Sequence, residues 1–310
     1  MHLGQSIVDK LAVNQPLLSV EFFPPKTEEG ARQILKTAQA IQEIRPDFIS
    51  ITYGAGGSTR ERTLEYGEIL HDLFGFEVMP HLTCVGHSKD DIRQILRRIE
   101  RRGFRNIMTL RGDAPKDNPE MTTGTDGLCH ASDLVQFIRE ECPYFCLGVA
   151  GYPEKHPEAK SMEEDLQHLK FKVDQGASFI TTQLFYNNDD YFKFVESCRN
   201  LGINVPIIPG ILPVVSLKQV KRFCAMCGAK IPPMLEAYLE AAKDDEDAQE
   251  MIGVEWAHNQ ISELLGKGVP GVHLYILNRA QSTIDLVQSL KQGRLFPKAA
   301  TIAAVTTQLA

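Results

Sequence analysis

Eight short runs rich in β-branched and aromatic residues recur along the chain, and their spacing constrains the fold more than any other feature. They are Leu17 to Phe23, Phe48 to Tyr53, Glu77 to Thr83, Asn106 to Arg111, Phe145 to Tyr152, Phe179 to Phe185, Val205 to Leu212 and Val272 to Asn278. Counting the seventh from Pro206, their starts lie 31, 29, 29, 39, 34, 27 and 66 residues apart. That is the length of one βα unit everywhere except at the last step. Eight such units predict a closed α/β barrel of the (β/α)8, or TIM, type. Extra helices between strands 7 and 8 account for the long step: one near Ser216 to Met226, one after Pro232-Pro233, and one opening at Asp244-Asp245-Glu246-Asp247 and running towards Leu265. The acidic cluster reads as a solvated first turn favoured by the helix dipole. A doubly wound open sheet is the rival, but its nearest glycine loop, Gly54-Ala55-Gly56-Gly57-Ser58, follows the second strand and lacks the GxGxxG spacing.

A length of 310 residues suits two ordinary domains or one barrel. No Pro- or Gly-rich linker divides it, so residues 1–310 are read as one catalytic domain with an Ala- and Thr-rich tail at 295–310. Lys and Arg number 33 against 40 Asp and Glu, a net charge of −7, and no dense basic stripe occurs. Nucleic acid is therefore not an expected partner, although a cleft with a few basic residues can still bind a small anion. No run approaches the roughly 18 apolar residues of a membrane span, and the start carries no secretory leader, so a cytoplasmic protein is expected. Seven cysteines without a secretion signal read as reduced thiols. Cys224-Ala225-Met226-Cys227 is a lone CxxC that reads as packing. His81 with His87, and His156 with His168, lack further ligands at metal spacing, so no metal is expected.

In a barrel, alternate strand residues face the surrounding helices and the axis, and active sites collect at the strand C-termini. Leu18, Val20 and Phe22 form an outward set, which leaves Ser19, Glu21 and Phe23 inward. The same parity turns Ser50, Thr52, His81, Thr83, Thr181 and Gln183 inward. At the late positions the set is Glu21, Thr52, His81, Arg111, Asp113, Tyr152 and Gln183. Burying so many polar groups without partners costs several kcal/mol, at least about 2 each, so together they read as a ligand site. Glu21 sits between Val20 and Phe22-Phe23-Pro24-Pro25, an apolar setting expected to raise its pKa and fit it as a general acid. Asp113, two residues after Arg111, reads either as a site residue or as that arginine's partner. Ser161 with Glu164 makes a capping box opening a helix beside Lys170 and Lys172, a start that suits a diphosphate or a merely solvated helix.

Glu21-Phe22-Phe23-Pro24-Pro25, Thr52-Tyr53-Gly54-Ala55, Pro80-His81-Leu82-Thr83-Cys84, Leu110-Arg111-Gly112-Asp113, Gly151-Tyr152-Pro153 with His156-Pro157-Glu158-Ala159, Thr182-Gln183-Leu184-Phe185, Pro209-Gly210-Ile211-Leu212-Pro213 and Leu277-Asn278-Arg279 together resemble the methylenetetrahydrofolate reductase family, over nearly the whole chain. The resemblance implies a flavoprotein that reduces 5,10-methylenetetrahydrofolate to 5-methyltetrahydrofolate, a step in one-carbon metabolism that supplies methyl groups for methionine synthesis. NADH or NADPH would reduce FAD in a ping-pong cycle, with Glu21 as general acid and Asp113 stabilising the cationic folate intermediate. Thr52, Tyr53, Ala55, His81, Arg111, Gly112, Asp113, Ala131, Tyr152, His156, Asp165, His168 and Lys172 fall on cofactor-binding positions, and Gln183, Gln219 and Arg279 on substrate-binding ones. His130, His168 and Phe171 depart from the family's usual residues around the ADP half of the cofactor. A homo-oligomer is also expected. The competing enzyme reading is another FAD-dependent barrel oxidoreductase, similar to proline dehydrogenase, and the non-enzymatic one is a pterin- or flavin-storing module.

Overall fold

The computed structural model describes residues 4–13, 15–54, 60–113, 126, 128–293 and 295–296. Ala55, most of the stretch from Ala114 to Cys129, and the tail beyond Phe296 lie outside the described residues. The strands are β1 (Leu17–Phe22), β2 (Phe48–Ile51), β3 (Val78–Thr83), β4 (Asn106–Leu110), β5 (Cys146–Gly151), β6 (Phe179–Thr182), β7 (Ile207–Ile208), β8 (Gly210–Ile211) and β9 (Gly271–Tyr275). All pair in parallel, in the order β7-β6-β5-β4-β3-β2-β1-β9-β8. The two ends of that order, β7 and β8, are consecutive pieces of the chain separated by Pro209, which has no N–H to give a ladder. One strand therefore pairs with β6 before the break and with β9 after it, and the eight-unit barrel closes through this seam.

Side chains stitch the seam where the backbone cannot. Gly210 donates its N–H to Thr182 Oγ1 at 2.9 Å, and the Tyr275 hydroxyl donates to the Thr182 carbonyl at 2.7 Å. A Cβ at Gly210 would stand 2.2 Å from that same carbonyl oxygen, so no side chain fits there.

The alternation read from the sequence holds along most strands and breaks at the exits of β4 and β6, where Leu110 and Leu184, expected to face outward, line the cavity at the strand ends instead. Leu18, Val20, Phe22, Ile49, Ile51, Val78, Leu82 and Ile180 join the large apolar cluster between the sheet and the helices. Leu17, Phe48, Met79, Met108, Cys146, Phe179 and Ile208 form a second cluster inside the barrel. Most of these begin their strands, so the inner cluster plugs the N-terminal end of the barrel and leaves the other end free. Gly148 makes room for it, because a Cβ there would lie 2.6 Å from the Phe179 ring. Beneath the plug, α1 (Ile7–Leu11) seals the floor: Ile7 is fully buried and donates its N–H to Asn106 Oδ1 at 2.9 Å.

Between the strands run α2 (Glu28–Ile41), α3 (Arg60–Phe74), α4 (Lys89–Arg101), α5 (Ala131–Glu141), α6 (Met162–Asp174) and α7 (Asn188–Asn200), and α11 (Gln281–Gln292) closes the ring. The three extra helices are α8 (Leu217–Cys227), α9 (Pro233–Ala241) and α10 (Glu246–Gly266). Asp245 caps α10 by accepting from Ala248 N at 3.0 Å, as a first-turn acidic cluster should. At α6 only half of the expected box forms. Ser161 Oγ accepts from Glu164 N, but the Glu164 carboxylate accepts from Lys160 N rather than from the cap residue. Among the described residues no helix is long and apolar enough to cross a membrane.

Candidate active site

A cavity of about 440 Å³ opens where the strands end, lined by residues from every side of the barrel, among them Glu21, His81, Arg111, Asp113, Tyr152, His156, Gln183, His273 and Tyr275. Its size lies within the range of about 300–1,000 Å³ usual for small-molecule sites. Of the expected late inward set, all but Thr52 reach it.

The deepest polar feature is built by strand register. Glu21 lies opposite Ser50 on β2 and Tyr275 on β9, and Ser19 lies opposite His273. Ser50 Oγ donates to Glu21 Oε2 at 3.4 Å and lies 3.3 Å from His273 Nε2. Ser19 Oγ stands 2.8 Å from His273 Nδ1, and His81 Nε2 and His273 Nε2 approach Glu21 Oε2 to 3.4 and 3.6 Å. Glu21 and both histidines are buried. Burial alone pushes the Glu21 carboxyl up. Hydrogen bonds and coulombic attraction from His273 and His81 outweigh it and bring the pKa down to about 2. This corrects the expectation of a raised pKa. In a strand the flanking apolar residues point to the other face, so the neighbours that matter come from β2, β3 and β9.

The opposite wall carries an ion pair and is more open. Arg111 donates from both terminal nitrogens to Glu158, at 2.6 and 2.8 Å, and this pairing raises its already high pKa further. Its partner is thus Glu158 and not Asp113, which stands exposed at the rim. The loop carrying Glu158 is pinned by Asp165, which accepts from His156 N at 2.8 Å, and by Glu158 N donating to His156 Nδ1. Tyr152 meets His156 edge-on, with ring centroids 4.6 Å apart. Lys172 Nζ donates to the Ala150 carbonyl at 2.6 Å. Burial lowers its pKa to about 8, with Asp165 pulling the other way.

Gln183 Oε1 accepts from Leu184 N at 2.9 Å, which leaves the side-chain NH2 as the group offered to a ligand. Several expected contact residues, Asp165 and Lys172 among them, stand outside the cavity lining. Thr52 follows β2 and its carbonyl accepts from Thr63, and the Tyr53 hydroxyl lies 3.0 Å from His87 Nε2. Gly112 follows Arg111 with φ +89°, Ala131 opens α5, and His168 lies exposed on α6. Gln219 on α8 and Arg279 after β9 are also outside, although their neighbours Phe223, Met226 and Leu277 line the mouth. The sequence reading missed His273, Tyr275, Phe223 and Leu277. The parity that found Glu21 would have found His273 and Tyr275, which alternate with Val272 and Leu274.

The sequence profile of the methylenetetrahydrofolate reductase family matches residues 6–291. Methylenetetrahydrofolate reductase (NADH) 1 of Arabidopsis thaliana is 39% identical over 298 residues, covering 92% of this chain and 50% of the relative. The 5,10-methylenetetrahydrofolate reductase of Escherichia coli is 38% identical over 290 residues, covering 93% of this chain and 94% of the relative. The chain thus spans about half the length of its plant relatives and nearly all of the bacterial one. Among solved structures, a Clostridium thermocellum protein described as binding two copies of 5-methyl-5,6,7,8-tetrahydrofolic acid superposes with a TM-score of 0.65 at 19% identity, over 92% of this chain and 98% of that one, a likeness of fold. A profile match of this extent, carried on a barrel with a polar cavity at its strand ends, places the chain in the methylenetetrahydrofolate reductase family.

Proposed function

We propose that this single barrel domain reduces 5,10-methylenetetrahydrofolate to 5-methyltetrahydrofolate, drawing electrons from a reduced nicotinamide nucleotide through FAD. The observation that carries the reading is a buried carboxylate, Glu21, held by two imidazoles across one cavity from the free amide of Gln183. One buried polar atom among the cavity-lining residues, Thr181 Oγ1, lacks a hydrogen-bond partner among the described residues, which suits a ligand rich in ring nitrogens and carbonyls. Arg111 and His156 offer the polar rim that the anionic part of a dinucleotide needs. Bound flavin would supply the two-electron carrier that neither nicotinamide nor folate can replace in a ping-pong scheme.

The protein's own contribution is proton handling and placement. Glu21 delivers a proton to folate N10, the bond from N10 to the methylene carbon breaks, and the electron pair stays on nitrogen as the amine leaves. The methylene carbon, now a cationic iminium on N5, accepts hydride and becomes the methyl group. In the ligand-free cavity Glu21 is ionised at neutral pH, so it takes up a proton before it can act as the acid. A pterin seated over the carboxylate adds to its desolvation, which raises the carboxyl's pKa and favours the protonated form. Asp113 at the rim favours the iminium by its charge. Gln183 orients the pterin through its amide donor, and in the other half-reaction the nicotinamide.

Anaerobic spectrophotometry tests this. The purified protein should be yellow, bleach with NADH or NADPH, and regain its colour with methylenetetrahydrofolate. Colour that bleaches but never returns with the folate would overturn the reading, and stable colour without bleaching would point to storage.

A further inference from the structure

The exit of β1 and the exit of β9 are locked together by a reciprocal pair of hydrogen bonds. Phe23 N donates to Asn278 Oδ1 at 2.9 Å, and Asn278 Nδ2 donates back to the Phe23 carbonyl at 2.9 Å. The backbone around Asn278 is strained: Leu277 and Asn278 have φ of 49° and 57°, two consecutive left-handed residues without a glycine. Asparagine tolerates this conformation, whereas leucine rarely adopts it, so the surroundings must hold it in place. They do so by the clamp itself, by Thr37 Oγ1 donating to the Asn278 carbonyl at 2.9 Å, and by Arg279 N donating to the Ile276 carbonyl at 2.8 Å.

What the strain achieves is visible in the cavity. Phe23 and Leu277 both line it, at the mouth and above Glu21, which precedes Phe23 by two residues. Phe23 remains 38% exposed, an aromatic ring kept at the opening rather than folded into the core. Phe223 and Met226 of α8 line the mouth as well. The cavity is thus polar around Glu21 and apolar on the side of its mouth formed by the exits of β1 and β9 and by α8, across from the polar rim of Arg111 and His156. A folate lowers its pterin to the floor and carries a flat aryl ring directly beyond it. A nicotinamide nucleotide carries a ribose and phosphates there instead, which gain little from an apolar wall.

We propose that Asn278 is a positioning residue that fixes the Phe23–Leu277 wall and thereby sets affinity for the aryl group of the folate rather than for the nicotinamide. The inference rests on the reductase reading above and adds to it the part of the substrate that this wall selects.

Two variants test it. Asn278→Gly keeps the left-handed backbone accessible and removes the clamp. Asn278→Asp keeps backbone tolerance and the acceptor for Phe23 N, and sets a carboxylate oxygen against the Phe23 carbonyl in place of the donor. The KM for methylenetetrahydrofolate should rise about tenfold in Asn278→Gly and by at least as much in Asn278→Asp. The rate of flavin bleaching by nicotinamide and the KM for the nicotinamide should stay within about twofold of the parent. A tetrahydropterin lacking the aryl group, titrated against the oxidised protein, should bind parent and variant equally. Phe23→Ala, which removes the wall and leaves the clamp's backbone atoms, should reproduce the Asn278→Gly pattern and serves if the glycine variant does not fold. Equal loss in both half-reactions, no loss in either, or a weakened affinity for the truncated pterin would overturn the assignment to the aryl group. Failure of the parent protein to turn over folate at all would instead overturn the reductase reading, so the two failures are distinguishable.

Discussion

The two walls of the cavity are built on opposite principles. On the side of β1, β2 and β9, Glu21, His273, Ser50 and Ser19 are buried and satisfy one another across 2.8 to 3.6 Å, with bulk water kept out. On the side of β4 and the loop before α6, Arg111 and Glu158 form a tighter pair that is open to solvent. In the first a charge matters greatly because little screens it, and in the second it is cheap to exchange for a ligand's charge. In the proposed function, proton chemistry belongs to the closed wall and anion binding to the open one.

Glu21→Gln should break the closed wall most sharply. The folate half-reaction should fall by about 10²–10⁴, the usual range for loss of a general acid, while bleaching by nicotinamide persists. Stopped-flow spectroscopy of the two half-reactions checks this, and a parallel loss in both would remove Glu21 from the proton step.

His273→Phe keeps the stacking on Phe48, whose ring lies 6.1 Å from the imidazole and nearly parallel, and takes away a partner of the carboxylate. Stability at pH 7 should drop by about 3 kcal/mol. The sign with pH follows from the carboxyl. In the parent it titrates near 2 when folded against an ordinary 4.5, so its contribution is complete above about pH 4.5 and is lost as pH falls towards 2. Without His273 the carboxyl titrates higher, so the cost of the substitution should shrink between pH 7 and pH 4. Urea melts at the two pH values measure this, and equal costs at both would contradict the assigned cause.

On the open wall, Glu158→Gln should change stability by less than about 1 kcal/mol, because the Glu158 side chain is 62% exposed. Its freed guanidinium should bind FAD more tightly, by up to roughly fivefold, an effect that added salt erases. Flavin fluorescence titration reads both. The smallest change is expected from Thr181→Val. Removing a buried hydroxyl without a partner should stabilise the ligand-free protein by at most about 1 kcal/mol, seen as a small rise in melting temperature.

The barrel was legible because its evidence is periodic: eight runs and seven spacings average out local ambiguity, and inward or outward parity follows from the pleat. The closed wall was only half legible. Glu21 could be aimed inward from its own strand, but its partners depend on which strand lies beside it, and the pairing of Ser19 with His273 exists only once a barrel closes across some 250 residues. That is why an apolar local sequence suggested the wrong pKa direction. Arg111 shows the same limit: a carboxylate two residues away was the natural partner to expect, and one 47 residues away holds it. Gln219 and Arg279 carry the family pattern yet lie off the cavity lining, next to residues that form it.

The join at Pro209 sits one layer from the buried Glu21 carboxylate. Tyr275, which fastens it through Thr182, also meets the His273 ring edge-on at 5.3 Å. The cylinder's shortest stave, two residues on either side of Pro209, thus adjoins the cavity, and on gentle warming amide exchange at Gly210 and loss of turnover should rise together, before the helices melt.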